Sequence, residues 1–285
     1  MSLSTITVIG AGTMGHGIAH AAALAGNTVH LFDLNQDGLR HGLDSIAKNL
    51  DKGVARGKVD AADRDAALER ITGHVNLEDA CQGADLVVEA IPEKLALKQA
   101  LFAEVQDYVG EHCILGTNTS SLSIAGIASA VRDPGRVLGL HFFNPVHIMK
   151  LLEIVVHPGT RPEVLATCKA WGAVIGKECI TVQDFPGFAT SRLGVCLGME
   201  AIRMVEQGVA SPKDIDTAMV LGYRHPIGPL KLTDLVGLDV RMHIGEYLAE
   251  KLDNPAFKPP QIMKDMVAQG KLGKKSGQGF YSYEE

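Results

Sequence analysis

Three glycines, at residues 10, 12 and 15, constrain this chain more than any other feature of its sequence. Thr5–Ile9 is a short apolar, β-branched run, and Gly10-Ala11-Gly12-Thr13-Met14-Gly15 interrupts it. A small-residue helical pattern then continues to Ala25, and Thr28–Phe32 is a second apolar run ending at Asp33. Strand, tight turn, helix and strand with such short connections make a βαβ unit. In that setting Gly10 permits the sharp turn, Gly12 lets the backbone approach a pyrophosphate, and Gly15 lets the helix pack on the strand. The start of the helix, at Thr13 and Met14, turns unpaired N–H groups and a positive dipole end toward phosphate. A glycine turn alone says little; its position after a strand and before a helix is what predicts a dinucleotide site. Asp33 stands near the offset of about 20 residues at which an acid binds ribose hydroxyls. A carboxylate there repels a 2′-phosphate, and Leu34, Asn35 and Gln36 offer no cation to accept one, so NAD is the expected cofactor.

The pattern continues along the first two thirds of the chain. A helix is predicted from Asp37 to Arg56, a short strand at Ile71–Val75, and a continuous apolar strand at Leu86–Ala90. A helix over Glu93–Tyr108, a strand at Cys113–Gly116 and a short helix at Leu122–Ala128 follow. Val137–Phe142 and Leu151–Val156 are further strands. Apolar strands alternating with helices imply an α/β fold, a parallel sheet covered on both faces in a doubly wound, Rossmann-type arrangement. The character changes near Asp184–Gly187. Beyond it, Phe188–Gln207, Pro212–Leu221, Pro229–Leu252 and Pro259–Gln269 read as helices bounded by Pro or Gly. The expected division is therefore 1–185 for the NAD-binding domain and 186–285 for an all-helical C-terminal domain.

Composition excludes several classes. A formal net charge of -6 argues against a nucleic-acid partner. No apolar run reaches the ~20 residues of a membrane span, so no membrane association is expected. The N-terminus enters a strand pattern at once, without a charged segment and cleavable apolar stretch, so the expected location is cytoplasmic. The five cysteines include no Cys-x-x-Cys pair, which predicts neither a disulfide framework nor a structural zinc site. His16 and His20 share a helix face at metal-ligand spacing, but no third ligand pattern accompanies them, and no metal is expected.

The remaining motifs resemble a known family. Asn118-Thr119-Ser120-Ser121, His141-Phe142-Phe143-Asn144-Pro145, Glu153 and Asp184-Phe185-Pro186-Gly187-Phe188 occur in order. Gly228-Pro229, Asp234-Leu235-Val236-Gly237-Leu238-Asp239 and the ending Lys274-Lys275-Ser276-Gly277-Gln278-Gly279-Phe280-Tyr281 follow them. Together they are similar to the 3-hydroxyacyl-CoA dehydrogenases, and among these to the short bacterial enzymes acting on 3-hydroxybutyryl-CoA. The resemblance implies NAD-dependent, reversible oxidation of an (S)-3-hydroxyacyl-CoA. It assigns His141 as base and Glu153 as its partner. It sets Ser120 near the substrate oxygen and nicotinamide, Asn144 at the nicotinamide end, and Asn118, Glu93 and Lys98 along the cofactor cleft, the last two on the helix after Leu86–Ala90. The CoA moiety would lie along the helical arm at 37–58, where Asn49, Lys52 and Arg56 are the substrate-binding candidates; Lys52 and Arg56, four apart, share a face. A homodimer through the C-terminal domain is implied as well.

One position departs from the family pattern. Ser191 stands where the family most often has an Asn that hydrogen-bonds substrate; a serine is shorter but still donates one bond. His147, just past Pro145, is read as a surface residue. The chemistry is consistent with these roles: imidazole titrates near neutrality and suits proton removal as hydride leaves carbon. A carboxylate behind it fixes the tautomer and stabilises the imidazolium. Rival readings are a 3-hydroxyadipyl-CoA or gulonate-type sugar-acid dehydrogenase of the same family, and a nucleotide-binding protein without catalysis.

Overall fold

The computed structural model describes residues 3–283 and divides into two compact units, Met1–Phe185 and Pro186–Glu285. In the first unit, β1 (Thr5–Ile9), α1 (Thr13–Leu24), β2 (Thr28–Phe32), α2 (Gln36–Ala55), α3 (Ala61–Glu69) and β3 (Ile71–His74) form the opening half. Then come α4 (Leu77–Cys81), β4 (Leu86–Glu89), α5 (Leu95–Tyr108), β5 (Ile114–Thr117), α6 (Ile124–Ala128) and β6 (Val137–Phe142). β7 (Leu151–Val156), α7 (Pro162–Val174) and β8 (Glu178–Gln183) close it. The eight strands make one sheet in the order β3-β2-β1-β4-β5-β6-β7-β8. The connectivity reverses between β1 and β4, which marks the switch point where ligands bind outside the carboxyl ends of the strands.

β1, β4, β5 and β6 are buried along nearly their whole length, as strands covered on both faces must be. α1 reaches the sheet closely because its inner face is made of small residues; a Cβ on Gly17 would lie 2.9 Å from the Val146 side chain. α2 is started by Asn35, whose side chain accepts the backbone N–H of Asp37 at 2.8 Å.

The sheet departs from an all-parallel arrangement at β7, which pairs antiparallel with β6. The reason lies in the connection: residues 143–150 are too few for the crossover of a dozen or more residues that a parallel return needs. β8 runs parallel to β7 through α7. α7 buries Val164, Cys168 and Trp171, which recur at helical spacing, and β8 is an edge strand with Glu178, Thr181 and Gln183 exposed.

The second unit contains α8 (Thr190–Glu206), α9 (Pro212–Thr217), α10 (Pro229–Val236), α11 (Leu238–Lys251) and α12 (Gln261–Ala268). The helix expected over 229–252 is two helices, because Gly237 takes φ +106°, a conformation that ends α10 and is open to glycine at little cost. Its core is formed by residues such as Met199, Ile202, Leu230, Leu248 and Met263. Asp234, fully buried, accepts the N–H groups of Phe280 and Tyr281 at 2.9 Å each and so anchors the final segment.

Candidate active site

The glycine turn, Asp33, Asn118, Ser120 and His141 gather at the carboxyl ends of the parallel strands, whereas Asn49, Lys52 and Arg56 lie at the far end of α2. Gly10 follows β1 with φ +99°, and its N–H donates to Phe32 O at 2.8 Å. A Cβ on Gly15 would lie 1.6 Å from Gly10 O, so the helix and the turn can approach this closely only with glycine there. Gly12 is different: a Cβ on it would meet nothing within 4 Å. The space above it is open, α1 receives no side-chain cap from Gly12, and its first turn, with Thr13 and Met14, contains no acid. An uncapped helix start under an open cradle fits a pyrophosphate. Asp33 braces this turn, its Oδ2 accepting Ala11 N–H at 2.9 Å and its Oδ1 accepting Asn35 N–H at 3.0 Å. It is partly exposed, and a carboxylate has about four acceptor positions, so capacity for ribose hydroxyls remains.

His141 and Glu153 are directly opposite each other in the antiparallel β6–β7 ladder. Residues so paired project to the same face with Cβ atoms about 5 Å apart. The His141 Nδ1 to Glu153 Oε2 distance is 2.6 Å, with side chains 6% and 0% exposed. An ionised carboxylate only accepts, so Nδ1 carries the proton and Nε2 is the basic nitrogen. Phe143 packs on the imidazole with ring centroids 4.4 Å apart.

Asn118, after β5, accepts the Phe142 N–H with its Oδ1 at 2.9 Å, which ties the segment bearing Ser120 to the strand bearing His141. Glu93 lies in the turn before α5 rather than on the helix, because the helix starts only at Leu95. Its Oε1 accepts the Thr119 hydroxyl at 2.5 Å and the Ser120 N–H at 2.8 Å. Lys98 is fully buried, with Nζ 2.9 Å from both oxygens of Glu89 and 3.4 Å from Glu93 Oε2. Leu86–Ala90 is thus not wholly apolar: Glu89 is a buried charge inside it. A charged residue within an otherwise apolar strand was the available signal. Asn144 is exposed after β6. Ser191 is on α8 in the second unit, partly exposed.

Asn49, Lys52 and Arg56 line a cavity of about 770 Å³ in the first unit. Lys58, Lys150 and Lys177 line it too, and no Asp or Glu does. His147 also lines it, stacked on His20 with centroids 4.9 Å apart and planes 6° from parallel. Lys177 holds the loop after Pro145 by donating to the carbonyls of Val146 and Met149, the latter at 2.8 Å. The lysines at 150 and 177 come from segments distant in sequence from α2, and only folding assembles them with it.

A doubly wound sheet with a glycine cradle, an acid after β2 and a buried His–Glu pair at the same edge defines a dinucleotide-dependent oxidoreductase. Residues 5–185 match the family "3-hydroxyacyl-CoA dehydrogenase, NAD binding domain" and residues 187–283 match "3-hydroxyacyl-CoA dehydrogenase, C-terminal domain". The chain belongs to the 3-hydroxyacyl-CoA dehydrogenase family, and its cofactor is NAD. It is 41% identical to a probable 3-hydroxybutyryl-CoA dehydrogenase of Bacillus subtilis, covering 100% of this chain and 99% of that one. It is also 41% identical to a 3-hydroxybutyryl-CoA dehydrogenase of Mycobacterium tuberculosis, covering 99% of each. The crystal structure of (S)-3-hydroxybutyryl-CoA dehydrogenase PaaH1 from Ralstonia eutropha superposes with a TM-score of 0.94 at 38% identity, covering all of both chains.

Proposed function

We propose that this enzyme interconverts (S)-3-hydroxybutyryl-CoA and acetoacetyl-CoA. The observation that carries the reading is the buried 2.6 Å contact between His141 and Glu153 at the edge where the glycine cradle lies. His141 Nε2 takes the proton from the substrate hydroxyl, and Glu153 holds the ring in the Nδ1–H form and balances the charge that the ring gains. NAD, when bound, supplies the hydride acceptor. The chain's own part is to seat it: Gly10, Gly12, Thr13, Met14 and Gly15 receive the pyrophosphate, and Asp33 binds the ribose. Asn118 and Asn144 order the nicotinamide end, and Glu93 with Lys98 shapes the turn beside the cofactor cleft. Ser120 hydrogen-bonds the reacting oxygen. The cavity beside α2 takes the CoA phosphates through Asn49, Lys52 and Arg56; the lysines and arginine in its otherwise largely apolar lining, with no carboxylate beside them among the described residues, support this assignment.

Leu193, Leu221, Tyr223, Leu235 and Val240 are large apolar side chains exposed on the second unit, which supports a homodimer formed through it. Among the described residues no helix is long and apolar enough to cross a membrane, and the proposed location is the cytoplasm.

The test follows NADH absorbance with acetoacetyl-CoA, longer 3-ketoacyl-CoAs, 3-ketoadipyl-CoA and a gulonate-type sugar acid. Acetoacetyl-CoA is expected to have the highest kcat/KM, and His141→Ala to lower it about a hundredfold to ten-thousandfold. Turnover confined to the diacid thioester or the sugar acid, or turnover indifferent to His141, would overturn the reading.

A further inference from the structure

Glu89 is the last residue of β4, in register with Ile9 of β1 on one side and Thr117 of β5 on the other. It therefore sits at the switch point, between the glycine turn and the segment that bears Ser120. It is fully buried, yet its oxygens are saturated: Lys98 Nζ donates to both at 2.9 Å, the Thr117 hydroxyl donates to Oε1, and Ile91 N–H donates to Oε2 at 3.1 Å. Lys98 is equally buried, and its remaining neighbours are Ile91 O at 3.3 Å and Glu93 Oε2 at 3.4 Å. The other Glu93 oxygen accepts from the Thr119 hydroxyl and the Ser120 N–H. Thr119 Oγ1 in turn accepts the N–H groups of Ser121 and Leu122, at 3.3 and 2.9 Å. One unbroken line of polar contacts thus runs from the sheet interior to the Ser120 segment.

A buried ion pair is a poor source of stability, because its desolvation cost is comparable to its attraction and apolar residues of similar size serve as well or better. What such a pair does supply is a fixed geometry. Glu93 is 40% exposed at its side chain, and a carboxylate in a turn samples several rotamers unless something holds it. Lys98 holds it, and Glu89 holds Lys98.

We propose that Glu89 and Lys98 are positioning residues: they lock Glu93, and through Glu93 they set the backbone at Ser120 where the substrate oxygen is met. The proposal rests on the reading of Ser120 given above. It assigns Lys98 no direct contact with the cofactor, since its ammonium is enclosed by Glu89, Ile91 and Glu93.

The test uses the double variant Glu89→Gln/Lys98→Met, which removes both charges together and leaves neither stranded in the core, with Glu93→Ala as a surface-turn variant that threatens the fold far less. Three quantities are read: kcat with acetoacetyl-CoA, the Kd for NADH by fluorescence, and deuterium uptake of the backbone at 118–122. In the double variant kcat falls about tenfold or more, NADH Kd changes less than about threefold, and uptake at 118–122 rises. Glu93→Ala gives a similar loss, and combining all three changes adds little, since residues acting through one route are not additive. Wild-type kcat and uptake in either the double variant or Glu93→Ala overturns the proposal, as does a triple variant whose losses multiply. If the double variant does not fold, Glu89→Gln alone, which keeps the size of the side chain, is read in its place, with the same expected and overturning results. An inactive wild-type enzyme would instead count against the substrate reading, while the exchange data continue to report on the positioning role.

Discussion

Glu153 faces His141 across the one antiparallel ladder that joins β6 to the rest of its sheet edge, with 2.6 Å between carboxylate and imidazole. The contact needs no loop to create it, because the register of the two strands already brings the side chains together. Glu153→Gln keeps the shape of the side chain but allows its amide to donate, which favours the wrong tautomer of His141. kcat is expected to fall by about a hundredfold or more, with the KM for NADH little changed, as steady-state kinetics will report. A loss of less than about threefold would remove Glu153 from the mechanism.

Gly12 offers a clean separation of folding from cofactor binding. The protein has room for a Cβ there, so Gly12→Ala should keep the melting temperature. The added methyl occupies the approach of the pyrophosphate, and the Kd for NADH is expected to rise about tenfold or more. Gly15→Ala should differ, lowering the melting temperature as well, because its Cβ would collide with Gly10 O.

The cationic cavity predicts a split between thioesters. Lys52→Ala and Arg56→Ala should each raise the KM for acetoacetyl-CoA several-fold, with a dependence on salt typical of exposed charges. The same variants should leave the KM unchanged for a truncated thioester lacking the nucleotide of CoA. An equal effect on both substrates would move the CoA site elsewhere.

His20 is 2% exposed, and burial, followed by the positive fields of His147, His16 and Lys177, lowers its pKa from 6.5 to about 4. The unfolded chain therefore binds a proton between pH 6.5 and 4 that the native protein refuses, so stability decreases as pH falls through that window. His20→Gln has no such titration. Between pH 7 and pH 5 the wild type should lose about 2 kcal/mol more than the variant in urea unfolding. Parallel pH curves for the two proteins would refute the assignment.

The sequence exposes the parts of this molecule that depend on local pattern. The glycine turn, Asp33 and the apolar strands can be read because backbone geometry, helix dipoles and two-sided burial act over a few residues. The antiparallel β7 departs from the expected parallel sheet, although the shortness of 143–150 was an available signal. The Glu89–Lys98–Glu93 line was not, because its members come from a strand, a turn and a helix, and only a folded edge brings them within hydrogen-bond range. The same holds for Lys150, Lys177 and His147 beside Lys52: their shared cavity is a property of packing, not of spacing. The helical pattern of the sequence extends past the true start at Leu95, where the extended backbone of Lys94 ends the turn that bears Glu93.

Because the strand register sets the proton acceptor opposite its carboxylate, the turn beyond Phe143, which packs on the imidazole, is not what brings the pair together. A change in the length of the turn between the two strands leaves the paired positions opposite each other, so the acid–base pair is insulated from it.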